Sequence, residues 1–233
     1  MDKEVLKKNI EELNVYILFV WIILYGYANS MTNGKSREVA ICIMGAYGIG
    51  FVFWIYFSKQ NQKISLNKMP VQPFEEYVYL IPILFLPIYN FLCIRECNMN
   101  WSVVVLALNV SIIEELFFRG FLLHYCMKRN RMKGVFVSAL IFGVFHCVNL
   151  IQNREWKYVL FQSIGAIIVG IYYNEIVLKY NSLFPCIIAH FLINVTGMQG
   201  ELQVDNSAVV IGYGICMMFY LTSEIFLFRK IKK

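Results

Sequence analysis

Long uninterrupted apolar runs constrain the fold of this chain more than any other feature. A helix that crosses a bilayer core about 30 Å thick needs roughly 20 mostly apolar residues. Polar connections separate eight candidate runs, at about 15–29, 39–57, 77–94, 101–127, 134–151, 158–178, 184–198 and 208–228. Barrel strands would alternate apolar and polar residues with period two, which these runs do not. The sequence therefore predicts an all-α polytopic membrane protein with about eight transmembrane helices.

The composition supports a lipid environment. Hydrophobic residues make up 59% of the 233 residues and charged residues only 15%. A soluble domain of this size could not hide so much apolar surface, because much of its exterior must stay polar. A soluble enzyme, a nucleic-acid binder and a disordered chain are therefore excluded, and the bilayer is the expected surrounding medium.

The positions of the basic residues predict the topology. If the amino terminus is cytoplasmic and all eight runs cross, fifteen of the 21 Lys and Arg lie in inside segments and five in outside segments, with Arg119 inside a span. Cytoplasmic loops of membrane proteins carry an excess of Lys and Arg. We therefore expect both termini in the cytoplasm. The first run lacks a small-residue cleavage site and is interpreted as a retained anchor.

The fourth run contains three ionisable residues, Glu114, Glu115 and Arg119. Charged side chains near the centre of a membrane helix cost about 2.5–3.5 kcal/mol each, so their presence calls for a reason. Adjacent residues on a helix point about 100° apart, so the two carboxylates cannot share one role. Arg119 follows Glu115 by one turn on the same face, where the two can pair. This leaves Glu114 free for chemistry.

Two further runs carry histidines, His146 in the fifth and His190 in the seventh. Asn194 follows His190 by four residues and so shares its helical face. A single histidine on an apolar face is more often a core residue than a functional one. Two histidines, a glutamate and an asparagine inside predicted spans instead indicate a site, and at about 1.5 Å per residue Glu114, His146 and His190 can converge in the cytoplasmic half of the bilayer.

These side chains suit the hydrolysis of an amide bond by either of two routes. In the first, Glu114 is the general base for water, one histidine holds that water, and His190 with Asn194 donates hydrogen bonds to the oxyanion. In the second, Glu114, His146 and His190 bind a zinc ion that activates water. Because Asn194 shares a face with His190, we favour the metal-free route, and the zinc route stays open.

The residues fall into a pattern that resembles the CAAX protease and bacteriocin-processing family of multi-pass intramembrane peptidases. The resemblance rests on three ordered motifs, Glu114-Glu115-xxx-Arg119, Phe142-xxx-His146 and His190-xxx-Asn194.

The resemblance implies roles for the motif residues. Glu114 and His146 would activate water, and His190 and Asn194 would stabilise the oxyanion. The family is described both as metal-dependent and as glutamate-type, so the resemblance does not choose between the two routes.

The remaining motif residues, Glu115 and Arg119, would support the site. The resemblance also divides one membrane domain into three parts. Amino-terminal helices without a recognised motif occupy 1–100, the CAAX-protease-like catalytic core 101–198, and the final helix with a basic cytoplasmic tail 199–233.

The function expected from the residues and the resemblance together is an intramembrane endopeptidase acting near the cytoplasmic face. Its partner would be a peptide or a membrane-anchored protein substrate. The compact length favours bacteriocin- or pheromone-type peptide processing or self-immunity, in a bacterial cell membrane. Two alternatives come from other classes: a non-catalytic scaffold or immunity protein that retains the fold, and a proton-coupled transporter, since intramembrane Glu and His also form proton relays.

Overall fold

The computed structural model describes residues 20–21, 34–57, 69–93, 101–128, 130–150, 155–199 and 207–231. Across these ranges all regular secondary structure is helical. The chain divides into two units, Met1–Lys59 and Gln60–Lys233. The predicted span at 15–29 lies outside the described residues except for 20–21. In the first unit, helix α1 is Gly34–Phe57, which covers the predicted span at 39–57.

The second unit holds every candidate site residue. Its elements are a 3-10 segment Phe74–Leu80, α2 Ile81–Cys93, α3 Trp101–Glu115, a π-helical segment Leu116–Leu122, α4 Leu123–Met127, α5 Arg131–Phe145, a second 3-10 segment His146–Leu150, α6 Trp156–Tyr180, α7 Phe184–Gln199 and α8 Ser207–Ile231. Helix α3 packs against α7, α7 against α2, α2 against α8, α8 against α6, and α6 against α5. The π-helical segment also contacts α5, so the three motif-bearing stretches of the chain meet.

A small residue lets α5 approach α6 closely. A Cβ atom at Gly143 would lie 2.3 Å from Ile167 Cγ1 and 2.7 Å from the carbonyl oxygen of Ser163. Any larger side chain would push the two helices apart, which is why small residues are common where membrane helices cross. Gly143 thus fixes α5 against α6 three residues before His146.

The outward face of α2 is apolar. Ile81, Leu84, Ile88 and Phe91 are 45–70% exposed, at spacings that align them on one side of the helix. A helix on the surface of a soluble protein would present polar residues there. This face, together with the long apolar helices, indicates an integral membrane protein.

The structure confirms the all-helical prediction for the described residues but not the count of about eight spans. Four helical stretches are long and apolar enough to cross a membrane, Phe74–Cys93, Trp101–Met127, Trp156–Tyr180 and Val209–Leu227. Ile41–Phe53 and Phe184–Gly197 are shorter apolar helices.

Two of the predicted spans form helices that are shorter than the thickness of the bilayer core. The predicted span at 134–151 divides at Phe145 into the 15-residue α5 and a 3-10 segment. Helix α7 has 16 residues, about 24 Å at 1.5 Å per residue. That is less than a bilayer core of about 30 Å.

Candidate functional site

Two hydrogen bonds join α3 to α7. Glu115 Oε1 lies 2.8 Å from His190 Nδ1, and Asn194 Nδ2 donates to Ser111 Oγ at 3.1 Å. Ser111 and Glu115 are four residues apart on α3, as are His190 and Asn194 on α7, so each pair lies on one helical face. Because the higher-numbered residue of one pair meets the lower-numbered residue of the other, the helices run antiparallel. We call these four residues the α3–α7 ladder.

Glu115 also holds Arg119. Arg119 Nη1 donates to Glu115 Oε1 at 3.0 Å, and the two side chains are 0–1% exposed. The guanidinium lies 4.1 Å from the ring centroid of Phe142 and 5.5 Å from that of Tyr173. A guanidinium stacks well on aromatic faces because it is planar and weakly hydrated. The buried charge of Arg119 is thus compensated by one carboxylate and two rings.

Arg119 lies in the π-helical segment Leu116–Leu122, directly after the two glutamates. Such segments are rare and occur often at functional sites. Ser138 of α5 donates its hydroxyl hydrogen to the carbonyl oxygen of Phe118 at 2.8 Å. This bond anchors the widened turn to the neighbouring helix.

Glu114 faces the other side of the His190 ring. Its Oε2 atom lies 3.8 Å from His190 Nε2, and the residue is 7% exposed. At that distance the two groups are not hydrogen-bonded, and they attract each other as charges only when the imidazole is protonated. The His190 ring therefore stands between two carboxylates, with Nδ1 toward Glu115 and Nε2 toward Glu114.

His146 joins the site through an aromatic ring. It opens the second 3-10 segment, and its Nδ1 atom lies 2.9 Å from the carbonyl oxygen of Phe142. The ring of Phe142 makes edge-to-face contacts with His146, at 4.9 Å between centroids, and with His190, at 6.0 Å. Phe142 thus touches both histidines and Arg119. With Nδ1 donating to the carbonyl, Nε2 of His146 is left for a ligand.

A zinc site would need Glu114, His146 and His190 as neighbouring ligands. Within the ranges that the structure describes, no group of three His, Cys, Asp or Glu side chains is arranged so that it could hold a metal ion. Glu114 and His190 are neighbours, whereas His146 is connected to them by the Phe142 ring.

Sequence reasoning missed two features of this site. It assigned Glu115 to Arg119 alone, whereas Glu115 also contacts His190. It gave Ser111 no role, although Ser111 is fully buried and bonded to Asn194. A signal for both existed in the spacing, since Ser111 and Glu115 repeat the four-residue interval of His190 and Asn194.

Comparison with known families identifies one match. Residues 97–196 match the family model of the Rce1-like type II CAAX prenyl endopeptidases. The matched stretch contains all three motifs, so the resemblance drawn from them is confirmed over this part of the chain. Neither curated proteins nor solved structures give a match to this chain.

Proposed function

We propose that this chain, whose residues 97–196 carry the Rce1-like CAAX endopeptidase region, is an intramembrane endopeptidase that hydrolyses a peptide bond in a membrane-associated peptide or protein. The observation that carries the proposal is the His190 ring, held between the carboxylates of Glu114 and Glu115. A buried base next to a histidine held in one orientation suits proton transfer to and from water.

In the first step, Glu114 accepts a proton from a water molecule whose oxygen attacks the carbonyl carbon of the scissile bond. The C=O π pair moves onto oxygen and gives a tetrahedral oxyanion. His146 Nε2 holds the attacking water, because its other ring nitrogen is bonded to the carbonyl of Phe142. General bases of this kind contribute about 10²–10⁴-fold in rate.

In the second step, the oxyanion pair re-forms the C=O bond and the C–N bond breaks. Glu114 returns its proton to the leaving nitrogen, so the products are a carboxylate terminus and an amine. Asn194 stabilises the oxyanion as a hydrogen-bond donor, and His190 does so through Nε2–H when its ring carries both protons, since Nδ1–H is used on Glu115. Glu115 is a positioning residue here, since it holds both His190 and Arg119.

The experiment is cleavage of candidate peptides by the purified protein, read by mass spectrometry. Wild type should give defined fragments and Glu114→Gln none. Glu224→Gln is a matched control, because Glu224 is also a buried acid, 6% exposed, but lies on α8 outside the site. It should cleave like wild type. Equal cleavage by wild type and Glu114→Gln would refute the proposal.

We further propose that the reaction needs no metal. In support, Glu114 and His190 are neighbours among the three candidate zinc ligands, and Asn194 is bonded to Ser111 across the same helix pair. Purified protein should be free of stoichiometric zinc by elemental analysis and should keep its activity after exhaustive chelation. Near-stoichiometric zinc, whose removal stops cleavage and whose return restores it, would contradict this and make both histidines ligands.

The biological role that we propose is processing of a bacteriocin- or pheromone-type peptide, or self-immunity, in a bacterial cell membrane. Peptides encoded near the gene form the first substrate panel. If Glu114→Gln still protects cells from a toxin peptide, the chain acts instead as a non-catalytic immunity protein.

The topology that we propose has eight crossings and both termini in the cytoplasm, supported by the fifteen-to-five distribution of Lys and Arg that eight crossings give. A cysteine in an extension after Lys233 should react only after the membrane is permeabilised. Labelling by an impermeant reagent from outside intact cells would contradict this topology.

A further inference from the structure

The side chain of Asn194 is held by a residue outside the three motifs. Its Nδ2 atom donates to Ser111 Oγ at 3.1 Å, and Ser111 is 0% exposed. Ser111 in turn donates its hydroxyl hydrogen to the carbonyl oxygen of Ala107 at 2.7 Å, one turn earlier on α3. The bonds form a short relay from α7 to the backbone of α3.

The relay determines which end of the Asn194 amide faces α3. A serine hydroxyl has one hydrogen, and Ser111 uses it on Ala107. Toward Asn194 the oxygen of Ser111 can therefore only accept, so the NH₂ group must face it and the Oδ1 atom must point elsewhere. One N–H of the amide is used on Ser111, and the second remains for another acceptor.

We propose that Ser111 is a positioning residue that holds the Asn194 amide in the orientation needed to donate to the oxyanion. The inference rests on the proposed function, in which Asn194 is such a donor. Without the serine oxygen the amide is free to turn over and present Oδ1 to the oxyanion, and two oxygens bearing negative charge repel each other. A donor must be preorganised to stabilise a transition state.

The α3–α7 ladder supports this role of Ser111, because its two bonds hold neighbouring residues of α7. Glu115 holds His190, and Ser111 holds Asn194 one turn away on the same two helices. Helix α3 therefore presents Glu114 and also orients both residues proposed to stabilise the oxyanion. A single helix pair sets the geometry of the base and the donors together.

The experiment compares Ser111→Ala with Ser111→Thr. Alanine removes the acceptor, so kcat should fall by about ten- to a hundredfold with little change in KM, less than the loss of about 10²–10³-fold on removing an oxyanion donor. Threonine keeps a hydroxyl that can bond the carbonyl four residues earlier and accept from Asn194, so it should restore most of kcat. Thr196→Val is the matched control, because among the described residues the Thr196 hydroxyl bonds its own helix, at Leu192 O and Ile193 O.

A double variant tests whether Ser111 acts through Asn194. Adding Ser111→Ala to Asn194→Ala should cause no further loss of kcat. Unchanged kcat in Ser111→Ala, or a full additional loss in the double variant, would overturn the inference. The double variant decides the matter even if threonine proves too large for the buried position.

A readout without catalysis separates this inference from the proposed function. The protein is labelled with ¹⁵N at asparagine and studied by NMR in micelles, where the side-chain NH₂ resonance of Asn194 is identified by its loss in Asn194→Asp. This resonance should move from its wild-type position in Ser111→Ala and lie close to that position in Ser111→Thr. An unmoved resonance would overturn the role of Ser111 whether or not peptides are cleaved. A shifted resonance in a protein that cleaves nothing would instead overturn the proposed function alone.

Discussion

Two ion pairs of this chain join a glutamate to an arginine in different surroundings. Glu115 and Arg119 lie one turn apart on one helical stretch, and both are buried, at 0% and 1% exposed. Glu175 of α6 and Arg131 of α5 pair across two helices, with the glutamate fully buried and the arginine 34% exposed. The first pair is closed off from the surface, whereas the second is exposed at its arginine end.

The difference explains what each pair does. Two buried charges need further partners, because the free energy lost by taking both out of water can exceed the free energy gained from their mutual attraction. Glu115 and Arg119 therefore depend on His190 and on the Phe142 ring, and the group that results is the proposed site. Arg131 is partly exposed and needs fewer such partners, so its pair with Glu175 serves to join α5 to α6.

Breaking the buried pair should have the largest effect on stability. Glu115→Gln leaves Arg119 charged and buried without its carboxylate, at a cost of about 3–5 kcal/mol in the free energy of unfolding. Chemical unfolding of the purified protein in detergent measures this. Replacing Arg119 by methionine as well should restore much of the loss, since no unpaired charge remains. Wild-type stability in Glu115→Gln would mean that Arg119 does not depend on it.

Breaking the pair of Glu175 with Arg131 should lower the free energy of unfolding by less, because one of its ends is exposed. Glu175→Gln should lower the free energy of unfolding by about 1–2 kcal/mol, because the exposed end of Arg131 turns to water while a charge-assisted hydrogen bond is lost. Cleavage per folded molecule should stay at the wild-type rate. Chemical unfolding in detergent measures this as well. A loss of stability as large as that of Glu115→Gln would contradict the claim that the more exposed pair contributes less.

A third pair extends the comparison to the case in which both side chains are partly exposed. Lys179 and Glu76 are 16% and 21% exposed, so neither end of the pair is fully buried. Lys179→Met should therefore change the free energy of unfolding by about 1 kcal/mol or less. Its effect should also shrink as salt is added, since salt screens exposed charges. A salt-independent loss above that of Glu175→Gln would break the ordering.

The apolar runs predicted the helices well and their ends less well. The run at 101–127 is helical throughout. Within it, however, the π-helical segment Leu116–Leu122 was not predicted, nor was the 3-10 segment that begins at His146. Hydrophobicity indicates that a stretch lies in lipid. It does not indicate where an α-helix changes to π-helical or 3-10 geometry.

The candidate residues could be found because charged and polar groups are costly in lipid. Their partners across helices could not, since periodicity places Ser111 and Glu115 on one face but says nothing about which helix meets that face. The contacts to Asn194 and His190 depend on the register between α3 and α7, which only the fold supplies.

The rate of peptide cleavage by Glu114→Gln, at equal amounts of folded protein, tests the central claim most directly. Glutamine keeps the size of the side chain but cannot take up the proton of water, so the single-turnover rate should fall by about 10²–10⁴-fold. The unfolding midpoint should stay at the wild-type value, because Glu114 carries no ion pair comparable to that of Glu115 with Arg119. A wild-type rate in this variant would show that Glu114 is not the base.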